Sequence, residues 1–135
     1  MSFFVWEPRY NVDIDSIDRQ HKRLFALFNE LYEAIQKGDA DEVIEEVLIR
    51  AADYATYHFE TEEKLLARYG YYDEAAHRAE HVRFTEHVAS MLEKVRLGNA
   101  LVSLATLKLL SDWVNNHILG SDQKYAPFLL ANGVR

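Results

Sequence analysis

Seven residues of this 135-residue chain have the types and the spacing of metal ligands. Two pairs, His58 with Glu62 and His77 with His81, are four positions apart, and on a helix such a pair shares one face, about 6 Å apart along the axis. Paired imidazoles in an apolar core are costly unless something binds them. The candidate ligands come from four separate segments of the chain: His21, His58, Glu62, His77, His81, His117 and Asp122. This pattern predicts an enclosed metal centre with nitrogen and oxygen ligands.

Four segments with helical apolar periodicity must position these residues, and the candidate ligands lie on the apolar faces. The predicted helices span residues 17–37, 41–69, 73–97 and 101–119. Each ends at a glycine suited to the left-handed conformation of a helix C-terminus: Gly38, Gly70, Gly98 and Gly120. A single histidine on such a face is usually a hydrogen-bonded core residue, and a buried glutamate usually pairs with lysine or arginine. Because these faces carry no such cation, five histidines and two carboxylates together favour a metal site.

Short connections between successive helices favour antiparallel neighbours. The predicted fold class is therefore all-α, an up-down-up-down antiparallel four-helix bundle over residues 17–119. An N-terminal arm (residues 1–16), whose aromatic side chains require a packing surface, precedes the bundle. A short C-terminal turn or helix (residues 120–135) follows, so that residues 1–135 form a single domain. Ligands early in the first and third helices then meet ligands late in the second and fourth, and all seven gather at one end of the bundle.

The positions of two polar residues do not follow from helical periodicity alone. Asp122 lies five positions beyond His117, and a continuous α-helix would turn it about 140° away. A break at Gly120 is predicted to return it to the site, whereas the alternative is that Asp122 and Ser121 only cap the terminal turn. The sixth histidine, His87, falls at the edge of its helix face and is predicted to be structural or exposed.

Composition excludes several classes of function. The formal net charge of −7, without a basic tail, argues against binding nucleic acid or an anionic membrane. The absence of cysteine excludes disulfides, thiolate zinc sites and iron–sulfur clusters. The N-terminal residues do not resemble a signal peptide, and the most apolar stretch is short and contains Lys108, so neither export nor membrane insertion is expected. A cytoplasmic location is predicted.

With these motifs in order, the chain resembles the hemerythrin family, and in particular single-domain bacteriohemerythrins. The matching motifs are Ile17-Asp18-Arg19-Gln20-His21-Lys22, His58-Phe59-x-x-Glu62, His77-x-x-x-His81-x-x-Phe84 and Trp113-Val114-x-x-His117-Ile118-x-x-x-Asp122. They extend over essentially the whole chain, and every ligand position of the family pattern is filled. The resemblance implies a single hemerythrin-like domain.

The resemblance also implies two non-heme iron ions joined by an oxo or hydroxo bridge and by the carboxylates of Glu62 and Asp122. One iron would be bound by three histidines and the other by two: His77, His81 and His117, then His21 and His58. On that pattern the imidazoles, the two bridging carboxylates and the shared oxygen fill all but one coordination position of two six-coordinate irons. The open position, on the iron with two histidines, is where dioxygen would bind.

Four apolar residues match the family's wall of the oxygen pocket: Phe59, Trp113, Val114 and Ile118. A dry pocket without acidic groups keeps oxygen binding reversible. Position 114 is commonly leucine in the family, and the smaller valine is predicted to open the pocket and to quicken oxygen access and autoxidation. The resemblance therefore implies a non-enzymatic protein, expected to be monomeric, that binds dioxygen for transport, storage or delivery, with an oxygen-consuming enzyme as a recipient.

Other functions are compatible with some of the same residues. One is a di-iron oxidase or peroxidase, although ferritin-like enzymes use two Glu-x-x-His motifs and this chain has one, Glu74-x-x-His77. Another is an oxygen- or iron-sensing module. Zinc hydrolysis is disfavoured, since no His-Glu-x-x-His motif is present and seven ligands are too many for one open zinc site.

Overall fold

The computed structural model describes residues 4–38, 41–97 and 104–135, and these form helices without any strand. The α-helices are α1 (Asp15–Gln36), α2 (Asp41–Tyr69), α3 (Glu74–Arg96), α4 (Leu104–Asn116) and α5 (Gln123–Ala131). Helix α1 packs on α2, α2 on α3, α3 on α4, and α4 returns to α1. The predicted four-helix bundle is therefore confirmed. None of the described helices is long and apolar enough to cross a membrane.

The first two interhelical turns follow the glycine signal. Gly38 and Gly70 have φ values of 68° and 70°, in the left-handed region where a side chain would be strained. At the second turn, the amide of Tyr71 donates to the carbonyl of Leu66 at 2.9 Å, which closes the C-terminus of α2. The predictions at Gly98 and at the start of the fourth helix lie outside the described residues.

The prediction that Gly120 ends the fourth helix is wrong. A π-helical segment, His117–Asp122, joins α4 directly to α5, and Gly120 lies inside it without a positive φ. The amide of Gln123 donates to the carbonyl of Ile118, five residues earlier, which is the hydrogen bond of a π-helix. The chain therefore continues as a helix, with a locally wider turn, into the C-terminal segment.

The N-terminal arm packs on α1. The rings of Trp6 and Tyr10 lie 5.3 and 5.2 Å from the ring of Phe25. Helix α1 begins at Asp15 with Ile14 as its N-cap residue, two residues before the predicted start, and no side chain caps it. Instead, the carboxylate of Asp18 accepts hydrogen bonds from the backbone amides of Val12 and Asp13.

Two apolar clusters fill the interior. The larger one lies among α1–α4 and includes Phe28, Leu48, Phe84 and Leu107. The smaller one joins the arm, the ends of α1 and α2, and α5, through residues such as Ile17, Leu66, Tyr125 and Leu129. The smaller cluster closes the end of the bundle at which the predicted ligands gather.

Candidate metal centre

All seven predicted ligands come together in a buried polar layer. None is more than 4% exposed. The ring of Phe59, in the larger cluster, stacks on His81 at 3.9 Å, and the ring of Tyr125, in the smaller cluster, lies 5.3 Å from His77. The polar layer is therefore in contact with apolar packing on both sides. The sixth histidine, His87, is exposed, which is one of the two alternatives predicted for it.

The ligand atoms form two adjoining groups, and within each group they lie within 4.8 Å of one another. One group contains Glu62, His77, His81 and His117, and the other contains His21, His58, Glu62 and Asp122. We call them the three-histidine group and the two-histidine group. This division matches the one that the resemblance implied.

The two carboxylates divide their oxygen atoms between the groups. Asp122 Oδ1 lies 3.1 Å from Nε2 of both His77 and His117, whereas Oδ2 lies 3.1 Å from His21 Nε2. Glu62 Oε2 lies 2.9 Å from His77 Nε2, whereas Oε1 contacts His58 Nε2 and lies 3.5 Å from His21 Nε2. Each carboxylate is thus placed to bridge two cations held side by side.

The π-helical segment explains how Asp122 reaches the site. In a π-helix, residues five apart are one turn apart, so Asp122 falls on the same face as His117. Asp122 is 0% exposed and its oxygens face imidazoles from three helices. The alternative role as a simple cap is contradicted, because Asp122 makes no side-chain capping hydrogen bond to α5.

Outer hydrogen bonds orient the imidazoles. Nδ1 of His58 lies 2.8 Å from Oε1 of Gln20. An amide oxygen only accepts, so His58 carries its proton on Nδ1, and the lone pair on Nε2 points into the two-histidine group. Gln20 was not predicted as a functional residue, although it directly precedes His21 in the sequence.

In the three-histidine group, carboxylates accept hydrogen bonds from the outer Nδ1 atoms of two imidazoles. Nδ1 of His81 lies 3.2 Å from Glu63, and Nδ1 of His117 lies 3.2 Å from Glu80, which also accepts from the hydroxyl of Ser121. The inner Nε2 atoms of the two histidines are only 3.1 Å apart. Glu63 and Glu80 were also missed, and their only sequence signal is that each adjoins a predicted ligand.

Electrostatics show which groups hold protons in the metal-free site. Burial alone would lower the pKa values of His21 and His77, but the carboxylates of Asp122 and Glu62 raise both to about 9. Burial likewise opposes charge on His117, but the same carboxylates and Glu80 raise its pKa to about 10. Three imidazolium ions therefore balance the buried carboxylates at neutral pH.

The remaining groups shift in the opposite direction. Burial lowers the pKa of His81 to about 3, with the charge on His117 acting in the same direction and the carboxylate of Glu62 opposing it. Burial favours protonation of Glu62 and Asp122, but the surrounding imidazoles hold the pKa of each carboxyl below its ordinary value. The hydrogen bond from His117 lowers the pKa of Glu80 to about 2. At neutral pH the carboxylates are ionised, and His81 is neutral.

The buried donor atoms of the site fit a pair of metal ions. Within the described part of the chain, both ring nitrogens of His21, both oxygens of Asp122 and Oε1 of Glu62 make no aligned hydrogen bond, although His21 Nε2 and the carboxylate oxygens lie within ion-pair distance of imidazole or carboxylate partners. Such atoms are costly unless something binds them. Imidazole nitrogens and carboxylate oxygens suit divalent iron, zinc and similar metals. The donor set therefore fits a two-metal centre.

The predicted wall residues lie in the larger apolar cluster. Phe59 stacks on His81 and lies 6.0 Å from the ring of His58, so it adjoins both groups. Trp113 stacks on His117 at 4.6 Å. Val114 and Ile118 are each 2% exposed and belong to the same cluster. Their role as a wall around oxygen stays a prediction.

Comparison with known proteins agrees with this geometry. The family model of the hemerythrin HHE cation binding domain matches residues 12–129. The chain belongs to the hemerythrin family. It is 38% identical over 129 residues to a bacteriohemerythrin of Stenotrophomonas maltophilia (strain R551-3), covering 93% of this chain and 81% of the relative. It is 33% identical over 132 residues to a bacteriohemerythrin of Methylococcus capsulatus, covering 97% of this chain and 100% of the relative.

A solved structure agrees as well. Wild-type hemerythrin superposes on this chain with a TM-score of 0.88 and 32% sequence identity, over 95% of this chain and 98% of that one. The buried His, Glu and Asp groups described above are therefore the candidate metal-binding residues of a hemerythrin-family bundle.

Proposed function

We propose that this protein binds dioxygen reversibly at a non-heme di-iron centre, for oxygen transport, storage or delivery. The observation that carries the proposal is the division of the two carboxylates, since Glu62 and Asp122 each present one oxygen to each histidine group. A single metal would need neither carboxylate to face both ways. Iron ions held by these residues would supply the electrons that reversible dioxygen binding requires.

The protein's own side chains would hold the irons and keep the site dry. The three-histidine group would bind one iron and His21 with His58 the other, with the carboxylates shared. Outer hydrogen bonds on Nδ1 fix the inward direction of the Nε2 lone pairs. The rings of Phe59 and Trp113 cover two of the imidazoles and exclude water, which disfavours side reactions of bound oxygen.

Spectroscopy of the iron-loaded protein tests the proposal. Metal analysis should give about two irons per chain, as expected for two donor groups. After anaerobic reduction, exposure to air should produce a visible absorption band that is lost again under vacuum. A different iron content, or a band that persists under vacuum, would contradict reversible binding at a di-iron centre.

The same experiment separates a carrier from an enzyme. Steady consumption of a substrate with oxygen or peroxide, well above the rate of autoxidation, would favour a di-iron oxidase or peroxidase instead. A non-enzymatic carrier that supplies an oxygen-consuming enzyme, acts as a monomer and resides in the cytoplasm is the form of the proposal that the sequence favours.

A further inference from the structure

A cavity of about 150 Å³ lies between α2 and α3, on the side of the candidate centre that faces the larger apolar cluster. Apart from two threonines, its lining residues are Ala52, Ala55, Phe84, Val88, Ala89 and Leu92. Ala55, Phe84 and Val88 are buried and form the floor, whereas Ala89 is exposed at the mouth. The small alanine side chains leave the space between the two helices unfilled.

The cavity offers almost nothing to water. No charged side chain lines it, and both threonine hydroxyls are engaged within their own helices. Thr56 donates to the carbonyl of Ala52 at 3.1 Å, and Thr85 donates to the carbonyl of His81 at 3.0 Å. A cavity holds water only where the water finds two to four polar partners, and apolar cavities of about this size stay dry and bind xenon or benzene. The preferred occupant is therefore a small, neutral, apolar molecule.

Two aromatic rings separate the cavity from the histidines. Phe84 on the floor meets Phe59 edge to face, with ring centroids 5.5 Å apart and an interplanar angle of 88°. Phe59 in turn stacks on His81 and adjoins His58, so it touches a ligand of each group. A rotation of these rings would let a diatomic molecule pass from the cavity to the centre.

A second opening reaches Phe59, but its chemistry differs. A groove of about 370 Å³ on the outer surface of α2 and α3 also contacts Phe59 and His81. Its rim carries Glu60, Glu63, Arg78 and Glu86, which hold water and disfavour an apolar molecule. The cavity and the groove share the two threonines, so they are adjacent openings, and they differ in that charged side chains line only the groove.

We infer that the cavity between α2 and α3 is a holding site through which dioxygen reaches the centre, an inference that rests on the proposed function. Such a site changes the rates of oxygen binding and release by the same factor and leaves the equilibrium affinity unchanged, because it stabilises neither end state at the metal. A residue in contact with bound oxygen would instead change the affinity.

Xenon is the direct probe, because it needs no iron. Xenon bound to the wild-type protein should be located in the cavity by crystals under xenon pressure or by ¹²⁹Xe NMR. Ala89→Phe, which enlarges a side chain at the mouth, should abolish xenon binding. Ser90→Phe, an exposed neighbour outside the lining, is the matched control and should retain it. Ala52→Leu fills the cavity from the opposite helix if Ala89→Phe does not fold.

Oxygen kinetics of the iron-loaded variants complete the test. The cavity-filling variant should bind and release oxygen more slowly by one common factor, while Ser90→Phe should match the wild type. Absence of xenon from the wild-type cavity, or unchanged oxygen rates in the filled variant, would overturn the inference. Failure of the wild type to bind oxygen reversibly would overturn the proposed function, and the xenon result would still decide whether the cavity binds apolar molecules.

Discussion

Binding of ferrous iron by the metal-free protein should release about three protons from imidazoles at pH 7, in addition to the proton that a bridging water loses when it becomes hydroxide. Carboxylates raise the pKa values of His21 and His77 to about 9 and that of His117 to about 10, so all three imidazoles are protonated at pH 7. A protonated imidazole has no lone pair to offer a metal, and each proton must leave first. His81, with its pKa lowered to about 3, releases none.

The cost of these protons is large enough to control metal affinity. Removing a proton at pH 7 costs about 3 kcal/mol for a pKa of about 9 and about 4 kcal/mol for a pKa of about 10. The three together oppose metal binding by on the order of 10 kcal/mol. Because each released proton contributes one power of ten per pH unit, apparent affinity should rise about a thousandfold from pH 7 to pH 8.

Anaerobic titration calorimetry measures the number of protons directly. Repeating the titration at pH 7 in buffers of different ionisation enthalpy gives the protons released per protein. His117→Gln should lower this number by about one. His87→Gln, which changes an exposed histidine outside the site, should leave it unchanged. Release of fewer than about one proton by the wild type would refute the view that three imidazolium ions occupy the metal-free site.

Three further predictions concern stability and the oxygen pocket. Raised imidazole pKa values stabilise the fold only while the imidazoles are protonated, so the melting temperature of the metal-free protein should fall as pH rises from about 6.5 through about 10; a rise there would contradict this. Gly120→Ala should raise the free energy of unfolding of the metal-free protein, measured by urea denaturation, by about 0.5–1 kcal/mol, because no atom lies within 4 Å of the added Cβ. Gly70→Ala should lower it, because Gly70 has a φ of 70°. Equal effects of the two substitutions would count against the π-helical path. Val114→Leu should slow autoxidation of the iron-loaded protein, and an unchanged or faster rate would show that position 114 does not control access.

Much of the fold could be predicted because helical periodicity is local. The predicted second helix has the bounds of α2, Asp41–Tyr69, and the left-handed turn at Gly70 is where the glycine signal placed it. The same signal failed at Gly120, since a glycine ends a helix only where the backbone turns left-handed. At Gly120 the helix instead continues through one wider turn, and Asp122 is buried against imidazoles of other helices. No local sequence pattern indicates these imidazoles as the partners of Asp122.

The sequence by itself determined that the five histidines and Glu62 meet, because their spacing sets the helix face and their position along each helix sets the depth in an antiparallel bundle. Only the tertiary structure decided how the oxygens of Glu62 and Asp122 divide between the two groups, that Gln20 and Glu80 orient the imidazoles, and that an apolar cavity lies beside them. These features depend on the rotation and separation of whole helices. The rotation and the separation of the helices are set by packing between residues far apart in the chain. The periodicity of a single segment does not determine either of them.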